Sequence, residues 1–114
     1  MKKVIIAFIG ISIFLVSCTS DKEQPLSVGC SSTIYFATDV KPIIDAACVG
    51  CHFAGAAAGG DFAVYSEIKG KVDNGSFKNR VFVLKDMPSA GSTPLTEGEL
   101  GKLNCWLEQG APNN

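Results

Sequence analysis

A single histidine, His52, occurs among the 114 residues of this chain. No second imidazole is available as a ligand or a general base, which removes the side chain most often used for proton transfer. Methionine is almost as scarce, with Met1 and Met87 only, and tryptophan occurs once, at Trp106. There is no internal repeat and no basic patch of the kind that binds nucleic acid. Ten basic residues stand against 11 acidic ones, for a formal charge of −1. Nor is any apolar run long enough to span a bilayer. The longest, residues 4–16, reaches about 20 Å as a helix, against a hydrocarbon core of ~30 Å.

What is present begins with that run. Lys2 and Lys3 precede it, so residues 1–17 have the basic and apolar regions of an export signal. The stretch Leu15-Val16-Ser17-Cys18 resembles a bacterial lipobox, in which the signal is cut before the cysteine and the thiol carries a diacylglycerol. The resemblance implies a mature chain that starts at a lipidated Cys18, anchored on the extracytoplasmic side of a membrane. Thr19 after the cysteine implies the outer one if the host has two. The other reading is an ordinary signal peptide ending near a cysteine. Export places the domain where disulfides persist. Removal of Lys2 and Lys3 leaves eight basic residues against 11 acidic, about −3.

Residues 18–33 are polar and turn-rich, with Pro25 and Gly29, and read as a tether. One domain, residues 34–114, follows. It is too small for a large core and is expected to need a staple or a cofactor. Val40, Ile43, Ile44, Ala47 and Cys48 repeat at helical spacing, which predicts a first helix capped by Thr38 or Asp39 and running into Cys48. Residues 55–60 form a loop of small residues. It serves either as a plain connector or as a place where backbone approaches a bulky ligand closely. Asp61 is expected to cap a second helix carrying Phe62, Tyr65, Ile68 and Val72, with Asn74-Gly75 as a turn. The state of residues 81–84 is open, and residues 85–94 read as loop. Thr96 and Glu99 form a capping box for a last helix, with Leu95 and Leu100 placed as a hydrophobic staple. Its stripe is Leu100, Leu103 and Leu107 with Trp106 beside it, and Gly110 suits its stop. The fold class expected is all-α, with short helices and long loops.

The chemistry lies in Cys48-Val49-Gly50-Cys51-His52, a C-x-x-C-H string. Two thiols three positions apart can add to the two vinyl groups on one edge of a porphyrin, and the following imidazole can then bind its iron. The pattern therefore reads as attachment of one covalent haem c. Three other readings stand beside it. A structural zinc site would need four N/S ligands, and the motif supplies three. A thiol–disulfide oxidoreductase would carry C-x-x-C at a helix N-terminus, whereas Cys48 ends an amphipathic pattern. The third is two buried cysteines and a satisfied histidine.

With these residues the chain resembles a monohaem class I cytochrome c domain of the type found in small bacterial lipoproteins. The likeness runs from Phe36 to Gly110. It is carried by D-V-K-P-I-I before C-x-x-C-H, by Met87-Pro88 after the middle helix, and by the ending W-L-x-x-G-A-P. It implies a cytochrome c-like fold of three or more helices whose first and last members cross beside the haem. It implies electron transfer rather than catalysis, with redox proteins as partners. The place of Met87 in that pattern implies the distal ligand. Elimination agrees, since no second histidine exists and Met1 leaves with the signal. The alternative is a core methionine with open or Lys-ligated iron, which would suit a sensor or enzyme module; a non-redox structural haem domain is the third possibility. The implied crossing of the helices also brings Cys30 and Cys105 together as a disulfide, against the alternative of two free buried thiols. Arg80, Lys85, Tyr65 and Trp106 are partners for haem propionates by residue type only. One departure is visible: no proline lies between His52 and Pro88, so the carbonyl that orients the imidazole is expected from the Gly/Ala loop instead.

Overall fold

A computed structural model describes residues 29–114. The expected export signal, residues 1–17, and Cys18 lie outside the described residues. Among the described residues there are helices and loops and no strand. The helices are α1 (Lys41–Ala47), α2 (Tyr65–Asp73), α3 (Ser76–Lys78) and α4 (Glu97–Glu108). Two π-helical turns extend them: Phe36–Val40 leads into α1, and Asn79–Val83 continues α3. None of these helices is long and apolar enough to cross a membrane.

The first helix starts earlier than the periodicity predicts. The chain is already helical at Phe36, and Asp39 is not an N-cap. Its carboxylate reaches back from the first turn to accept from the Tyr35 N–H at 3.0 Å. Proline explains the wide turn. Pro42 has no N–H to donate and crowds the carbonyl four residues before it. The turn just ahead of it opens, and the Lys41 N–H bonds to the Phe36 carbonyl, five residues back. Val40, Ile43 and Ile44 are then buried on one face, with Ala47 and Cys48 half-buried beyond them.

The second helix also differs. It begins at Tyr65, and Asp61 caps nothing; its Oδ1 accepts from the Ala63 N–H at 3.0 Å in a turn of its own. Phe62 precedes the helix and is buried, as is Ile68 within it. The Asn74-Gly75 turn is present, with Gly75 at φ 79° and Asn74 Oδ1 accepting from the Ser76 N–H. Residues 81–83 prove helical.

In α4 the capping box forms as the sequence predicts. The Thr96 hydroxyl accepts from the Glu99 N–H, and Glu99 Oε2 accepts from the Thr96 N–H at 2.8 Å. Gly110, at φ 86°, closes the helix: its N–H bonds to the Leu107 carbonyl and the Ala111 N–H to that of Trp106, a Schellman pattern. The buried face is Leu103, Cys105 and Trp106, while Leu100 and Leu107 are only half-buried. Backbone and side-chain bonds to Thr96 hold the Glu99 carboxyl below its usual range, and the backbone bond to Tyr35 does the same for Asp39. A depressed carboxyl stabilises the fold above its unfolded pKa, about 4, and that support is lost as pH falls through the lower folded value. Thr96→Ala is expected to cost about 1 kcal/mol. Glu99→Gln should flatten the acid limb of stability below about pH 4, as read by thermal melts across pH. An unchanged acid limb would show that the box does not couple to protonation.

The core gathers around Trp106, which is wholly buried. Its ring centroid lies 5.6 Å from that of Phe36 and 6.4 Å from that of Phe77, and Phe36 meets Tyr65 edge-on at 5.0 Å. The turn Phe36–Val40 packs against α4. The C-terminal segment seals this contact. Asn114 Oδ1 accepts from the Phe36 N–H and Gln109 Oε1 from the Ile34 N–H, while Gln109 Nε2 donates to the Ser32 carbonyl. Cys30 and Cys105 are joined as a disulfide with Cα atoms 5.4 Å apart. The chain is thus fastened to the domain from Cys30 onward.

Candidate functional site

The C-x-x-C-H string forms one tight turn on the end of α1. The Cys48 N–H still bonds to the Ile44 carbonyl at 2.9 Å. The Cys48 carbonyl then accepts from both the Cys51 and His52 N–H groups, at 3.1 and 2.9 Å. Helical bonding at these positions places residues i, i+3 and i+4 on one side of the turn. The three residues therefore lie on one side of the turn, without their donor atoms gathering closely enough to hold one metal ion between them. Cys48 and Cys51 are both unbridged. Burial pushes the Cys48 thiol up to about 11. That is the opposite of what a thiol–disulfide oxidoreductase needs, where a helix N-terminus lowers the attacking thiol. Zinc has no better support: no group of three His, Cys, Asp or Glu side chains gathers for a metal among the described residues.

The loop of small residues approaches His52. His52 Nδ1 lies 3.3 Å from the Gly59 carbonyl, and its ring stacks on Phe62 with centroids 4.2 Å apart and planes 7° from parallel. The Phe62 N–H returns to the His52 carbonyl at 2.9 Å, closing the loop. A carbonyl can only accept, so Nδ1–H donates to Gly59 and Nε2 is the ring nitrogen that keeps its lone pair. Glycine is required here. Gly59 and Gly60 sit at φ 73° and 95°, and a Cβ on Gly60 would meet the Phe62 ring at 3.2 Å.

Met87 arrives from the other side of the chain. The Asp86 and Met87 N–H groups both donate to the Arg80 carbonyl, at 3.1 and 3.3 Å, and Arg80 Nε bonds to Asp86 Oδ1 at 2.7 Å. These bonds fold residues 84–88 back onto the second π-helical turn. Cys48, Cys51, His52 and Met87 then line one cavity of about 280 Å³. Its other walls are largely apolar, with Ala47, Phe62, Phe77, Val81 and Leu103 among them. The size is near the lower end of ligand sites, ~300–1,000 Å³. Two unbridged thiols, an imidazole with one nitrogen oriented, a thioether and apolar walls form the donor set that a covalently held haem would use.

The residues singled out for propionates separate. The Tyr65 hydroxyl donates to the Ala111 carbonyl at 2.6 Å and Trp106 Nε1 to that of Pro112 at 3.0 Å, so both serve the C-terminal segment. Lys85 is not on the cavity, whereas Arg80 is. Lys71 also lines it and was not apparent from composition. Its place three residues after the buried Ile68, on the inner face of α2, is the signal that points to it.

No family model matches the chain, and neither curated proteins nor solved structures include a match.

Proposed function

We propose that this domain is a cytochrome c-like electron carrier holding one haem c. Cys48 and Cys51 form its thioether bonds, and His52 and Met87 are its axial ligands. We further propose that the mature chain is anchored through a lipid on Cys18, outside the cytoplasm and at the outer membrane where there are two, and exchanges electrons with redox proteins. The observation that carries this reading is the meeting of the C-x-x-C-H turn and Met87, distant in the chain, on a single cavity. Packing of the Phe36–Val40 turn against α4 supports the fold implied by the resemblance.

When bound, the haem would supply a one-electron couple, with His52 and Met87 holding its iron. The residues do the rest. The Gly59 carbonyl holds the Nδ1 proton of His52 and so presents Nε2. The bonds from the Cys51 and His52 N–H groups to the Cys48 carbonyl hold both cysteines and that imidazole in one turn. Phe62, Phe77 and Leu103 give the cavity apolar walls, and Lys71 and Arg80 bring cations to it for the propionates. Met87 would supply a soft thioether to the iron, which favours electron exchange over oxygen chemistry.

The test is expression of the full chain with a c-type maturation system, followed by reduced-minus-oxidised spectra with and without carbon monoxide. A covalent haem whose reduced spectrum ignores carbon monoxide is expected. A reduced spectrum that shifts with carbon monoxide would indicate an open iron site and a sensor or enzyme module. Absence of covalent haem would overturn the reading altogether.

A further inference from the structure

We propose that Phe62 is a positioning residue for His52: its ring sets the plane in which the imidazole is presented to the iron. This inference rests on the electron-carrier reading and names the residue that orients its histidine ligand.

The imidazole does not fix its own plane. The Cβ–Cγ torsion of histidine is broad and roughly two-fold, so the backbone of the Cys48 turn leaves the ring free to rotate. The bond from Nδ1–H to the Gly59 carbonyl restrains one ring atom only, and weakly. Its 3.3 Å lies beyond the ~2.7–3.2 Å usual for such bonds. The stack supplies the missing restraint. The Phe62 and His52 ring centroids are 4.2 Å apart and the planes differ by 7°. The edge-on ring pairs of the core, Phe36 with Tyr65 and Phe77 with Trp106, need 5.0 and 6.4 Å. At 4.2 Å only a near-parallel imidazole fits, since rotation would drive its edge into the phenyl face.

Phe62 can act as a template because it is held on every side. Its ring is buried, and its N–H bonds to the His52 carbonyl at 2.9 Å, so the two residues are tied through main chain and side chain alike. After it, the chain is fixed by the Ala63 N–H on Asp61 Oδ1 and the Val64 N–H on the Asp61 carbonyl, both at 3.0 Å. Before it, Gly60 turns the chain at φ 95° and leaves room for the ring. A Cβ on Gly60 would lie 3.2 Å from Phe62 Cε1 and 3.5 Å from Lys71 Cε. A plain wall residue needs no such alignment: Phe77, the other phenylalanine on the cavity, packs edge-on against Trp106. The direction of an axial imidazole plane decides which iron d orbital its π electrons meet. The residue that fixes that plane therefore leaves a mark on the ferric spectrum.

The experiment uses the full-length, haem-loaded protein in micelles. Phe62→Leu removes the flat ring and keeps apolar bulk, and Phe62→Tyr keeps the ring. Phe36→Leu removes a comparably buried ring that is not on the cavity. Two quantities are read: the g-values of the frozen ferric protein, and the exchange of the His52 Nδ1 proton into deuterated water by NMR. Phe62→Leu should shift or broaden the g-values and speed the exchange about tenfold or more. Phe62→Tyr should restore both to wild-type values. Phe36→Leu should lower the melting temperature and leave both unchanged. A Phe62→Leu protein that matches wild type in both overturns the inference while the carrier reading stands. So does a Phe62→Tyr or Phe36→Leu protein that moves both as far as Phe62→Leu. If Phe62→Leu takes up no haem, the ferrous wild type decides. Overhauser contacts between the Phe62 and His52 ring protons are expected there, and their absence overturns the inference. A wild type that takes up no haem overturns both readings.

Discussion

Met87→Ala in the haem-loaded protein is expected to lower the midpoint potential by on the order of 0.2 V, a sizeable part of the ~0.8 V that axial ligands span. A thioether favours the reduced iron, and alanine supplies no donor in its place. The weak near-infrared sulfur-to-iron band of the ferric protein should vanish, and carbon monoxide should bind the reduced form. Met87 is half-buried on the cavity wall, and its loop is held by backbone bonds to the Arg80 carbonyl. Those bonds do not involve its side chain, so the loop is expected to survive the substitution. A variant with the wild-type band and potential would show that the sulfur does not reach the iron.

Removing the disulfide should have the largest effect on stability. Cys30 and Cys105 are separated by 75 residues, and closing a loop of that length contributes about 4 kcal/mol in the chain-entropy model. Cys30→Ser with Cys105→Ser is therefore expected to lower the melting temperature by roughly 15–30 °C, given the ~4–8 °C per kcal/mol of domains this size. The comparison belongs in non-reducing buffer, with thiol labelling of the unfolded wild type as control. Two reactive thiols at Cys30 and Cys105 in that control would show that the bridge is not made.

The parts of the fold legible in the sequence are those whose signal is local. Thr96 and Glu99 need only each other to form a capping box, and Gly110 needs only its own backbone freedom. Val40, Ile43 and Ile44 mark a face through spacing alone. Other features have no such signature. Asp61 is a good cap by type, but the same short carboxylate also accepts from the N–H two residues on, and here it does. The stretch ending in Val83 and Leu84 is helical without an amphipathic pattern, because its apolar end faces outward. The widened turn at Phe36 depends on Pro42 several residues later. At the site, thiols, imidazole and thioether are readable as side chains. That the carbonyl meeting Nδ1 of His52 comes from the Gly/Ala loop is readable too; that it is Gly59 is not, since every residue of the loop carries one and only its path selects among them.

The fastening of the first described residues has a mechanical consequence. A pull on the chain ahead of Cys30 enters the domain at the disulfide and passes directly into α4. Beyond it, the bonds from Gln109 to Ser32 and Ile34, and from Asn114 to Phe36, form a second line. The load runs between the two ends of the domain. It bypasses the Cys48 turn, the Gly59 loop and the Met87 loop, none of which lies on that path. Tension on the N-terminal segment should thus leave the cavity's shape unchanged until the seam between the ends gives way.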